Sequence, residues 1–224
     1  MALFGDKKET KSRTITETKI SSATIITSCM KVTGNLDGSD TIHIDGNVVG
    51  NITVSNTLVI GKSGVVEGNV QAKNVIINGE LKGTIKCENL EVMQTGTVCK
   101  SIEANHLILD GLITGNIVGF ESIEVLENSR VDAVCIKSKK ITVHGKIEGT
   151  VIASEILEIG TKGFVEGKIT VKNIKTEEGG RMIGTMSTYQ EEEIGTKVAS
   201  KPRAKKATTA SKSKTETEDD FFEK

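Results

Sequence analysis

The residues able to carry chemistry are three histidines, four cysteines and a series of glycine pairs spaced four apart. A histidine beside a loop could serve as a general base. Cysteines in a C-x-x-C pair could hold zinc or exchange electrons, and a glycine loop ending in Lys-Ser or Lys-Thr could cradle phosphate. The spacing supports none of these. His43 alternates outward between Ile42 and Ile44, His106 falls at a corner, and His144 stands where other repeats carry a turn-forming Asp or Asn. Cys29, Cys87, Cys99 and Cys135 form no C-x-x-C pair. With no export signal they are expected to be reduced thiols. The glycine pairs are not followed by Lys-Ser or Lys-Thr. No metal-ligand spacing appears, so no cofactor, metal or small-molecule substrate is expected.

The glycines are therefore read as structural punctuation. Gly34/Gly38, Gly46/Gly50, Gly64/Gly68, Gly79/Gly83, Gly111/Gly115, Gly145/Gly149, Gly163/Gly167 and Gly180/Gly184 recur about every seventeen residues, and Gly96/Lys100 and Ser129/Ala133 keep the register with fewer glycines. A short fixed period is the mark of a solenoid. Between the glycines, apolar residues are two apart: Ile42/Ile44, Leu58/Ile60, Val75/Ile77, Leu107/Leu109 and Leu157/Ile159 are examples. Others stand two and six residues after each first glycine position, such as Val66 and Val70, Ile113 and Ile117, or Val131 and Cys135. Period-two alternation with β-branched enrichment predicts short strands with one buried face. A turn of this length holds roughly three strands and three corners, so the expected fold is an all-β, parallel β-helix solenoid of about ten rungs, each rung about 4.8 Å above the last. Asp45-Gly46, Asn78-Gly79 and Asp110-Gly111 suit corners that need positive φ. Asn56, Asn74, Asn89 and Asn173 recur at another corner, where a stacked asparagine ladder is expected.

The 224 residues contain 3% aromatics, no Trp and one Pro, and carry a net charge of −1. Thin aliphatic ladders need few aromatics, and interior strands exclude proline because they need every N–H. Near-neutrality argues against binding nucleic acid through bulk charge. The expected organisation is a flexible tail over 1–19, the rod over 20–189, and a disordered tail over 190–224.

Met30-Lys31-Val32-Thr33-Gly34-Asn35-Leu36-Asp37-Gly38, followed by Ile42-His43-Ile44-Asp45-Gly46-Asn47-Val48-Val49-Gly50-Asn51-Ile52, resembles the opening of a bactofilin. The family pattern is a repeated I-D-G-x-V-x-G-x-I unit between short tails, and the resemblance covers the whole rod. It implies a right-handed β-helix and nucleotide-free assembly into non-polar filaments. It also implies a scaffolding role at the cytoplasmic membrane, in cell shape or polar organisation. The rod looks longer than the compact core usual in the family.

The sequence shows no capping helix at either end of the rod, and uncapped solenoid ends expose unpaired edges and apolar cross-section. Ile25, Val32 and Leu36 at one end, with Ile174, Met182, Ile183 and Met186 at the other, are the expected polymer interface. Leu3 and Phe4, followed by Lys7 and Lys8, are the expected contact with inner-membrane lipid. In the C-terminal tail, Lys201, Arg203, Lys205 and Lys206 precede an acidic stretch holding Phe221 and Phe222. This segment is expected to bind protein clients, with DNA a lesser candidate. The alternative reading is a left-handed β-helix acyltransferase-like enzyme, or an inactive binding relative. That fold needs a regular hexapeptide unit and a catalytic histidine beside a loop. The rungs here are irregular in length and the corner loops are short.

Overall fold

The computed structural model describes residues 23–190, all within one compact unit. They form seventeen strands, with no helix among the described residues. Every strand pairing is parallel, and the strands stack as a solenoid of about ten turns.

Each turn has three faces. Lys31–Thr33, Asn47–Val49 and Val65–Glu67 begin the first face, and Leu36–Gly38 and Ile52–Val54 begin the second. Ala23–Ile26, Thr41–Ile44, Thr57–Ile60 and Asn74–Ile77 begin the third. Each residue pairs with its counterpart one turn on, as in Val48 with Val66 and Ile42 with Leu58. The sequence period thus becomes vertical columns of like residues.

The inward columns form the core. Val48, Val66, Leu81, Val98, Ile113, Val131, Ile147 and Val165 stack on the first face, and all are buried. The third face contributes two such columns, one from Ile42 to Leu157 and one from Ile44 to Ile159. Burying each aliphatic side chain contributes roughly 1.5–3 kcal/mol, which is how a chain so poor in aromatics holds its fold.

The strands are not short throughout. The first ten have two to four residues, but from Glu80–Val92 to Phe164–Thr176 each strand runs 13 or 14 residues around the corners. Here the ladder continues through two corners of each turn, so the three faces are arcs of one strand.

One corner column shows why glycine is used. Gly34, Gly50, Gly68, Gly115, Gly149, Gly167 and Gly184 all have φ between 126° and 150°. A Cβ on Gly68 would strike the carbonyl of Gly50 directly below. Lys100 occupies the same column with φ 113° and is the one non-glycine residue at positive φ among those described. Ala133 escapes the requirement because an extra residue, Val134, is inserted beside it, and Val134 is 75% exposed.

That insertion corrects one inward assignment. Cys135 pairs with Asn116 on the outer side, and Ile136 pairs with Ile117 and is fully buried. The bulge adds one residue after Ala133, so the six-residue spacing from Ser129 points to the wrong side chain.

The asparagine corner is a partial ladder. Asn89 Nδ2 donates to Asn74 Oδ1 at 2.8 Å, while Asn173 donates to the Glu155 carbonyl. A second series, unforeseen, links the backbone N–H of Asn51 to the side chain of Asn35, and that of Asn69 to Asn51.

Candidate functional site at the two end turns

The interior turns satisfy their strand edges on both sides; among the described residues the end turns do so on one side only. Among the described residues, Lys31–Thr33 pairs only with Asn47–Val49, and Leu36–Gly38 only with Ile52–Val54. At the other end, Arg181–Thr188 pairs, among the described residues, only with the strand Phe164–Thr176. Each end turn thus has one edge of backbone N–H and C=O groups with no strand partner among the described residues, a template for adding another strand.

Five of the seven expected interface residues lie on inward columns. Val32 stacks on Val48 and Leu36 on Ile52. Ile174 stacks on Leu157, Met182 on Val165 and Met186 on Ile169. Equivalent residues inside the rod are fully buried, whereas Val32, Leu36 and Met182 are half-buried, Ile174 is 37% exposed and Met186 51%. Their apolar surface is the cross-section of the core, with no further turn over it among the described residues.

The other two are placed differently. Ile25 pairs with His43 and Ile183 with Glu166, both on outward columns, at 62% and 55% exposure. In the first strand the inward residues are Thr24 and Ile26, and Ile26 is buried. Simple alternation from Ile42 and Ile44 identifies them, because the register of this strand copies that of the next turn. Leu3, Phe4, Lys7, Lys8, Lys201, Arg203, Lys205, Lys206, Phe221 and Phe222 lie outside the described residues.

The histidines take up surface contacts. His43 Nε2 is 3.1 Å from Asp45, and His106 bridges Ser122 Oγ at 2.9 Å and Glu121 at 2.9 Å. Among the described residues, no three His, Cys, Asp or Glu side chains gather as a metal site. Burial pushes the Cys87 thiol up to about 12, which opposes the thiolate a nucleophile or ligand would need. No described helix is long and apolar enough to cross a membrane.

An all-parallel, aliphatic solenoid in which each turn rests on its neighbours is a repeat protein. A family model described as bactofilin, polymer-forming cytoskeletal, matches residues 24–109 and again residues 101–187. The chain belongs to the bactofilin family, whose members are structural proteins rather than enzymes. It is 33% identical over 87 residues to bactofilin BacP of Myxococcus xanthus, covering 38% of this chain and 36% of BacP. It is 32% identical over 96 residues to bactofilin BacO of the same organism, covering 42% of this chain and 76% of BacO. The match thus spans little more than a third of BacP's length. No solved structure matches significantly.

Proposed function

We propose that this bactofilin polymerises end to end, without nucleotide, into non-polar filaments on the cytoplasmic membrane, where it positions other proteins. The observation that supports this most is the pair of end turns. Each offers, among the described residues, a strand edge without a partner around the apolar cross-section of the core. Stacking another copy there would extend both the hydrogen-bond ladder and the core. Contacts of like end with like end are isologous, and alternating the two kinds gives a filament without polarity.

Membrane attachment is assigned to Leu3 and Phe4, aided by Lys7 and Lys8. Two buried apolar side chains and two lysines contribute a few kcal/mol at an anionic surface. One copy would hold weakly, and a filament displaying many would hold by avidity. Client binding is assigned to the C-terminal tail, through its basic stretch and the acidic segment around Phe221 and Phe222.

Electron microscopy of the purified chain without nucleotide tests the assembly. Met182→Lys alone should stop growth after one end-to-end junction, because the opposite end still pairs. Met182→Lys with Leu36→Lys should abolish filaments with β-structure retained by circular dichroism. Full-length filaments from that double variant would refute end-to-end stacking.

A further inference from the structure

The first face carries two outward columns whose chemistry reverses along the rod. One column runs from Asn47 through Val65, Glu80, Thr97, Leu112, Arg130, Lys146 and Phe164 to Arg181, as the strand register dictates. The column beside it holds Val49, Glu67, Lys82, Cys99, Thr114, Asp132, Glu148, Glu166 and Ile183. Two turns before Leu112 the order across the face is Glu80 then Lys82, and two turns after it is Lys146 then Glu148. Leu112 itself is an outward leucine at mid-rod, 41% exposed.

We propose that a second copy of this chain packs on this face, rod beside rod and running in opposite directions, about a two-fold axis through Leu112. That symmetry lays each column against its own reverse. Leu112 meets Leu112 on the axis. Two turns away Glu80 meets Lys146, and Lys82 meets Glu148. Three turns away the half-buried Val65 meets Phe164, and four turns away Val49 meets Ile183. Thus apolar residues face apolar residues on both sides of the axis, and Glu80, Lys82, Lys146 and Glu148 face their opposites, while Arg130, Asp132 and Arg181 face the neutral Thr97, Cys99 and Asn47. Glu67 against Glu166 is the one like-charge meeting. Within each rod, Lys82 lies 2.9 Å from Glu80, and Lys146 is paired with Glu148. Facing such pairs gives a network of four alternating charges, which holds better than an isolated exposed pair.

Parallel rods in register would also match charges, with Lys146 facing Glu148. They would set Leu112 on Thr114, Phe164 on Glu166 and Val65 on Glu67, so every large apolar side chain would meet a polar one. Exposed ion pairs contribute little alone, so the apolar matches decide for the antiparallel order. Nine turns of one face give about 40 Å by about 13 Å of contact. That is about 1,000 Å² in total, the lower bound for a specific interface. Rods joined end to end would multiply it.

Electron microscopy and light scattering of the full chain test this. Wild-type filaments should appear in pairs. Leu112→Lys, at an exposed position, should leave filament length and circular dichroism unchanged and give single filaments. Lys146→Glu should also separate the pairs, and adding Glu80→Lys should restore them. Single wild-type filaments, persistent pairs in Leu112→Lys, or rescue by Glu148→Lys in place of Glu80→Lys would overturn the proposal. If no filaments form, the end contact fails. Side pairing is then read as a dimer mass in solution that Leu112→Lys must abolish, and a monomeric wild type would overturn it.

Discussion

Val98 and Thr97 are neighbours with opposite duties. Val98 is buried in the inward column, while Thr97 faces out. Val98→Asp would place a carboxylate among aliphatic side chains with no partner, at a cost of about 3 kcal/mol or more. Thr97→Asp should change stability by less than about 1 kcal/mol. Thermal melts followed by circular dichroism distinguish them, and equal sensitivity would mean the register is wrong. Cys87 supplies a pH test. Its folded thiol is raised from 9.0 to about 12 by burial. Above pH 9 the unfolded chain loses this proton while the folded chain keeps it. The stability linked to the neutral thiol is therefore complete below pH 9 and falls away between 9 and about 12. Alkylation at pH 8 should label the exposed Cys29 well ahead of the half-buried Cys87; equal rates would contradict that difference in burial.

At the level of a corner, one position is at odds with its residue. Lys100 adopts φ 113° in a column that, apart from Ala133, is otherwise built on glycine. Such a conformation costs a side-chain-bearing residue about 1–3 kcal/mol. Lys100→Gly should therefore raise stability by about 1 kcal/mol, the gain being reduced by glycine's greater freedom when unfolded. A lower melting temperature for Lys100→Gly would show that the lysine side chain holds the corner. These elements also show what the sequence reveals. Pairs such as Ile42/Ile44 and Leu157/Ile159 announce the inward columns because alternation has only two phases. The inward places of Val32, Leu36 and Met182 were legible for the same reason. The Val134 bulge was not legible. Ser129 and Ala133 stand where glycines mark other turns, so the register marker is lost at the turn where a residue is added. The outward places of Ile25 and Ile183 do not follow from hydrophobicity alone, which carries no phase. Strand length escaped too, since nothing in the composition tells a corner that breaks the ladder from one that bends it.

For the molecule as a whole, assembly and attachment should separate. Removing residues 2–8 should release filaments from anionic liposomes while leaving their length unchanged, as judged by co-sedimentation and microscopy. Undiminished co-sedimentation would move the membrane contact to another segment. The stacking of turns has a mechanical side as well. The hydrogen bonds between turns run along the rod's axis, so a pull from end to end loads every bond lengthwise. Inside one chain the backbone winds from each turn into the next, so a ruptured ladder remains tethered and can close again. Between stacked chains no covalent thread crosses the junction. A strand of such rods under tension would give way at its joints and keep its units whole, like a chain of springs linked by magnets. Force would then set the length of the polymer without damaging the protein that composes it.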